Sequence, residues 1–194
     1  MVSDEQILAN YVAGDTPAFA ELIRRYQQEL FAFLHRFVAD AALAEDLFQE
    51  TFIQVHRNAR SFDPARRFRP WLFTIAANKA RDYLRSSSRR TTQSLDNVTG
   101  RSDDATTFLD LMASDAPPPP EELAREESIA AVQEVLAGLP PMYREVLVLS
   151  FFQRFAYKEM ADMLGIPLGT VKSRLHAATA AFAKAFKSRD KRLK

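Results

Sequence analysis

"LGIPLGTVKSRLH", residues Leu164–His176, decides how the chain reads. A Gly-Ile-Pro turn separates two runs with apolar residues at helical spacing, and Thr170-Val171-Lys172-Ser173-Arg174 opens the second. Counted from Tyr157, Ala161 is fifth, Gly165 ninth and Val171 fifteenth. Two helices that cross closely need a small residue at the fifth position. The turn needs positive φ at the ninth, which glycine supplies without steric cost, and an apolar residue at the fifteenth anchors the second helix on the first. Met160, Leu164, Ile166 and Leu175 supply the remaining packing. Pro167, which lacks an N–H, suits the start of the second helix. The spacing predicts a helix-turn-helix whose outer face carries Thr170, Lys172, Ser173, Arg174 and His176. These groups reach phosphates and base edges in a major groove. A plain helical hairpin with a polar outer face is the competing reading.

Upstream of this motif, a helix over roughly 122–136 is stopped by Gly138-Leu139-Pro140-Pro141, and "MYREVLVLSFF" (Met142–Phe152) reads as another. The result is four helices in about 65 residues, enough for a small compact bundle. The N-terminal half is also helical. Ser3 with Gln6 three residues on has the form of a capping box. Asp15-Thr16-Pro17 starts a second helix carrying Phe19, Leu22, Ile23, Tyr26, Leu30, Phe33, Leu34 and Phe37 at three- and four-residue steps. Asp40 restarts a helix with Leu43, Leu47, Phe48, Phe52 and Val55 on one face. Ser61-Phe62-Asp63-Pro64 breaks it, and a further helix runs from about Pro70 to Arg85. Period-two alternation extends nowhere beyond a few residues.

Between the halves the composition changes. "SSSRRTTQS", "GRSDDATT" and "SDAPPPPEE", within residues 86–122, predict a flexible linker with a stiff polyproline end. Phe108–Met112 is an apolar island in it, either a docking segment or a short helical turn. The expected fold is all-α: two small helical domains, residues 1–90 and 125–194, joined by an acidic, Pro-rich linker over 91–124, with the helix-turn-helix in the second.

The net charge of +1 conceals an asymmetry. Residues 57–90 hold ten Arg or Lys against Asp63 and Asp82, residues 91–126 hold two Arg against eight acids, and residues 187–194 hold five basic residues against Asp190. Two basic zones separated by an acidic one point to two polyanion-facing surfaces. The chain has no Cys, which removes disulfides, thiolate metal sites and a Cys nucleophile. His35, His56 and His176 lie far apart and none has the spacing of a metal motif. No catalytic residue, metal or cofactor is expected. The N-terminus carries acids where a signal peptide carries Lys or Arg, and no apolar run approaches the ~18–20 residues of a membrane span. A cytoplasmic protein without membrane insertion is expected.

With these segments in view, the chain resembles the extracytoplasmic-function (ECF) group of bacterial RNA polymerase sigma factors, of the sigma-70 family. The resemblance covers residues 1–90 and about 125–187 in the family's order. "DLFQETFIQVHR" (Asp46–Arg57) is similar to the segment that binds the polymerase clamp, "RPWLFTIAANKARDYLR" (Arg69–Arg85) to the one that melts and reads the minus-ten element, and Leu139–His176 to the domain that reads the minus-thirty-five element. The resemblance implies polymerase contacts by Asp46, Gln49 and Glu50, whose i, i+3, i+4 spacing puts them on one helical face. It implies minus-ten DNA contacts in and beside the Ser61–Arg69 loop. Capture of unstacked bases needs aromatic walls, polar groups and cations, which Phe62, Phe68, Trp71, Asn78, Lys79 and Arg81 supply. Trp71 reads equally well as a core residue, because it shares a stripe with Leu72 and Ile75. Thr170, Lys172, Ser173, Arg174 and His176 are the implied minus-thirty-five contacts.

The implied function is promoter-specific initiation by core RNA polymerase, bound through its clamp coiled coil and flap, with promoter DNA as second partner and an anti-sigma factor as inhibitor. The linker then allows a closed, compact free form. There are departures from the family. "HAATAAFAKAF" (His176–Phe186) lacks the basic residues that often follow the recognition-helix His, and Arg154-Phe155-Ala156 replaces a common Gly-Leu-Ser. A stand-alone helix-turn-helix regulator shares the DNA-reading helix but has no use for Asp46, Gln49 and Glu50.

Overall fold

The computed structural model describes residues 2–93 and 120–190. Phe108–Met112, most of the predicted linker and the last residues of the basic tail lie outside that range. Eight α-helices make up the described chain: α1 (Asp4–Val12), α2 (Thr16–Val38), α3 (Ala41–Asn58), α4 (Phe68–Gln93), α5 (Pro120–Ala137), α6 (Pro141–Leu147), α7 (Tyr157–Leu164) and α8 (Leu168–Asp190). No strand occurs among the described residues.

The caps follow local chemistry. Ser3 accepts from Gln6 N at 3.2 Å, but the Gln6 side chain bonds Asn10 Oδ1 instead of closing the box. Asp40 accepts from Leu43 N at 2.9 Å and starts α3. The first turn of α4 is capped from elsewhere: Glu5 on α1 accepts from Phe68 N at 2.8 Å. That bond holds the Glu5 carboxyl below its ordinary pKa.

Helix α4 ends at Gln93, eight residues beyond the predicted Arg85. The serines that suggested a linker tolerate helix here: Ser86 Oγ donates to Tyr83 O at 2.8 Å. Once nucleated, a helix adds one hydrogen bond per further residue. The second departure lies after α6. "MYREVLVLSFF" is not one helix, for residues 148–152 form a π-turn in which Gln153 N donates to Val148 O at 3.0 Å. Arg154 then takes φ +54°, in the left-handed region. The wider turn leaves Phe151 and Phe152 exposed and turns Phe155 inward.

The helix-turn-helix forms at the predicted positions. Gly165 has φ +63° and caps α7, Ile166 N donates to Ala161 O at 3.1 Å, and Val171 is fully buried. Pro167 sits one residue before α8, where its carbonyl accepts from Val171 N at 3.1 Å.

The halves pack on each other. Leu22, Phe33, Phe37 and Phe73 from the first join Val146, Leu149, Phe155 and Met160 from the second in one continuous apolar core. Arg144 of α6 donates through Nη1 to Phe37 O at 2.8 Å, across the interface, and through Nη2 to Leu139 O at 3.1 Å. The structure is a closed form.

Candidate polymerase and nucleic-acid interfaces

Asp46, Gln49 and Glu50 are all exposed on α3, on the side away from buried Leu47, Phe52 and Val55. Gln49 also lines a shallow cleft of about 140 Å³ with Glu45, Phe48, Gln27 and Phe31. Glu45 was legible, since it lies one turn before Gln49; Gln27 and Phe31 come from α2 and only folding brings them there.

The expected minus-ten residues divide. Phe62 and Trp71 are half-buried, with ring centroids 4.8 Å apart. Phe68 is fully buried, packed on Tyr26 at 5.5 Å and Trp71 at 5.8 Å. It is a core residue rather than a DNA-facing one, because the α4 stripe of 68, 72, 73 and 76 points inward. Asn78 is exposed and accepts a hydrogen bond from the Arg81 guanidinium through Oδ1. Lys79 Nζ donates to Glu50 Oε2 at 3.0 Å, joining one expected DNA contact to an expected polymerase contact.

Arg81 also faces the second domain. Its Nε lies 3.2 Å from Glu145 Oε1 on α6. Its N–H is directed at Ala77 O, 3.3 Å away, so Glu145 gains charge attraction but no hydrogen bond. Glu145 is only 2% exposed, and burial pushes its carboxyl up to about 7 against the lowering influence of Arg81 and Arg174.

On α8, Lys172, Ser173 and His176 are exposed, and Thr170 and Arg174 half-buried. Ser173 Oγ donates to Thr170 O at 3.2 Å. Arg174 lies one turn beyond buried Val171, at the edge of the packed face, which brings its charge within reach of Glu145. Periodicity alone assigned it wholly to the outer face.

Two sets of residues escaped the sequence reading. Tyr11 hydroxyl and His56 Nδ1 are hydrogen-bonded beside Arg57 and Arg60, lining a cleft of about 440 Å³. Arg69, Phe73, Gln153 and Phe155 meet at the domain interface, with Arg69 Nη2 donating to Gln153 O at 2.8 Å. The only sequence signal was the Arg154-Phe155-Ala156 departure.

Residues 22–90 match the family described as Sigma-70 region 2, and residues 129–181 match Sigma-70, region 4. The chain belongs to the sigma-70 family. Within the family it falls in the ECF group. It is 34% identical over 183 residues to the RNA polymerase sigma-H factor of Pseudomonas aeruginosa, covering 94% of this chain and 93% of that one. It is 32% identical over 171 residues to the ECF RNA polymerase sigma factor SigW of Bacillus subtilis, covering 88% and 90%. It is 37% identical over 163 residues to the RNA polymerase sigma factor CarQ of Myxococcus xanthus, covering 84% and 86%. Two solved structures share this sigma fold at 24% identity and TM-score 0.67. One is CnrH with the cytosolic domain of CnrY, covering 96% of this chain and 99% of that one. The other is the sigma factor RpoE with the anti-sigma factor NepR from Bartonella quintana, covering 87% and 96%. Among the described residues no helix is long and apolar enough to cross a membrane.

Proposed function

We propose that this sigma factor docks on core RNA polymerase in the cytoplasm through Asp46, Gln49 and Glu50, and reads promoter DNA with its two helical domains. The observation that carries the reading is the pairing of sigma regions 2 and 4, in order, on one chain. Residues 1–90 act as the clamp-binding and minus-ten domain, 91–124 as linker, and 125–194 as the minus-thirty-five domain, which also meets the polymerase flap. Phe62, Trp71, Asn78, Lys79 and Arg81 hold the separated minus-ten strand. Thr170, Lys172, Ser173, Arg174 and His176 face the major groove at minus thirty-five. The chain supplies binding energy and base selection, and nucleotide addition belongs to the polymerase.

Anti-sigma control is part of the proposal. One structure with this fold is a sigma factor in complex with an anti-sigma factor. A tightly packed closed form offers such an inhibitor a state to bind and hold.

The test is pulldown with core polymerase by wild type and by an Asp46→Lys, Glu50→Lys variant. Both residues are exposed, so folding survives the change. Capture of the wild type and its loss in the variant is the expected result. Absence of wild-type capture, with the protein folded, transfers the helix-turn-helix to a regulator that acts without polymerase.

A further inference from the structure

Helix α4 is capped by a residue far away in sequence. The residue before it is Arg67, whose side chain carries donors and no acceptor, so it cannot receive an amide of the first turn. The Phe68 amide goes instead to Glu5 on α1, sixty-three positions away, at 2.8 Å. That bond and the charge of Arg67 hold the Glu5 carboxyl below its ordinary pKa, so it meets the positive end of α4 as a carboxylate.

Helix α1 is itself held firmly. Ile7 and Leu8 are buried in the core. Asp4 accepts from the Tyr26 hydroxyl at 2.6 Å and from Arg25 Nη1 at 2.9 Å, both on α2. Tyr26 is the residue whose ring packs on Phe68, with centroids 5.5 Å apart. Two consecutive acids of α1 thus act on one residue: Glu5 takes the Phe68 amide, and Asp4 holds the ring against which Phe68 packs.

Phe68 is the corner between loop and helix. Its buried ring lies 6.2 Å from that of Phe62 and 5.8 Å from that of Trp71, and the Phe62 and Trp71 rings lie 4.8 Å apart. Phe62 stands on the loop and Trp71 on α4, so the gap between these two half-buried aromatics depends on where α4 begins. Bonds within the loop are local: Asp63 Oδ1 accepts from Ala65 N and Asp63 O from Arg66 N, each at 2.9 Å. The bond to Glu5 ties the backbone of the corner to a different element.

We infer that Glu5 is a positioning residue for minus-ten base selection: through the Phe68 amide it fixes the gap between Phe62 and Trp71 in which an unstacked base is held. The inference rests on the proposed sigma reading and adds a specificity-determining residue to it. Glu5 lies outside residues 22–90, the stretch that matches Sigma-70 region 2. A base pocket selects by its shape and by contacts to the base edge, so loosening one wall relaxes selection at that base and leaves the rest of the strand contacts in place.

The experiment uses the full chain with core RNA polymerase on a promoter library whose minus-ten element is randomised, and sequences the transcripts. Wild type is compared with Glu5→Ala, Glu5→Gln and Ile7→Val. Glu5 is half-buried at the surface, so the chain folds without its carboxylate, and circular dichroism confirms it. Glutamine keeps an oxygen for the Phe68 amide and loses only the charge. Ile7→Val removes one methylene from the core face of α1 and leaves Glu5 in place, which gives a small loss of stability for comparison. Glu5→Ala is expected to relax base preference about fivefold at one position of the element, with the other positions and polymerase capture unchanged. Glu5→Gln is expected to retain most of the preference and Ile7→Val all of it. Unchanged preference in Glu5→Ala overturns the inference. So does an equal loss at every position, or the same loss in Ile7→Val, since either makes Glu5 an ordinary part of the fold. Absence of promoter-dependent transcription by the wild type counts against the sigma reading itself, whereas transcription with intact selection in Glu5→Ala counts against the role of Glu5 alone.

Discussion

Lys79 and Glu50, twenty-nine positions apart in sequence, form an ion pair of 3.0 Å between α4 and α3. The pair joins the helix proposed to read DNA to the helix proposed to dock on polymerase. In the proposed complex, polymerase seated on Glu50 competes with Lys79 for that carboxylate.

Lys79→Met is expected to leave polymerase capture within about twofold of wild type and to lower promoter opening several-fold. The pair is partly exposed, so its loss costs at most about 1 kcal/mol of stability. Pulldown and permanganate footprinting of the melted region on the same promoter check both halves. Equal losses in capture and opening would mean that Lys79 acts only by holding Glu50.

Lys172 is exposed on α8 with its charge free to meet a phosphate. Lys172→Ala is expected to weaken duplex binding by a similar factor for all sequences and to reduce the logarithmic salt slope by about one. A titration at several salt concentrations reads the slope directly. An unchanged slope would remove Lys172 from the phosphate contacts.

Glu145 gives the closed fold a pH dependence of defined sign. Its carboxyl rises from an ordinary 4.5 to about 7 because burial disfavours the charged form, with Arg81 on α4 and Arg174 on α8 as the charged groups facing it. The folded state binds a proton more tightly than the unfolded state. Its contribution to stability is therefore fully present below pH 4.5 and is lost as pH rises through 7, by roughly 3 kcal/mol. Glu145→Gln is expected to flatten that decline. Denaturant midpoints at pH 5 and pH 8, compared between the two proteins, measure the difference.

Gly165 separates conformational from steric cost. A Cβ added there meets nothing within 4 Å, yet φ is +63°. Gly165→Ala is expected to destabilise by about 1 kcal/mol through backbone strain alone. A loss of several kcal/mol in urea denaturation would show instead that the turn packs more tightly than its open surroundings indicate.

Much of this was readable from spacing. The stripe from Leu22 to Phe37, the Asp40 cap and the Ala161, Gly165 and Val171 positions are local signals, and each falls where the period placed it. What could not be read depends on distant partners. Phe68 looked like an exposed aromatic in a basic loop, but Tyr26 covers its ring and Glu5 receives its amide. Arg69 looked like one more cation until Gln153, eighty-four positions away, accepted its hydrogen bond. The π-turn after α6 has no compositional mark, because an extra residue per turn is selected by packing rather than propensity. Among the site residues, Asp46, Gln49 and Glu50 lie together as their spacing required; Arg174 does not point wholly outward, because α6 shares its edge of α8.

The hydrogen bond from Arg144 to Phe37 O gives the molecule its own gauge of closure. The last carbonyls of a helix have no partner within it, and here one of those of α2 is satisfied by the other domain. Parting the domains returns that carbonyl to water and leaves the last turn of α2 free to fray. Amide exchange around Phe37 and Val38 thus becomes a clock for opening, readable on the unlabelled protein, while the middle of the same helix stays protected by the first domain's own interior.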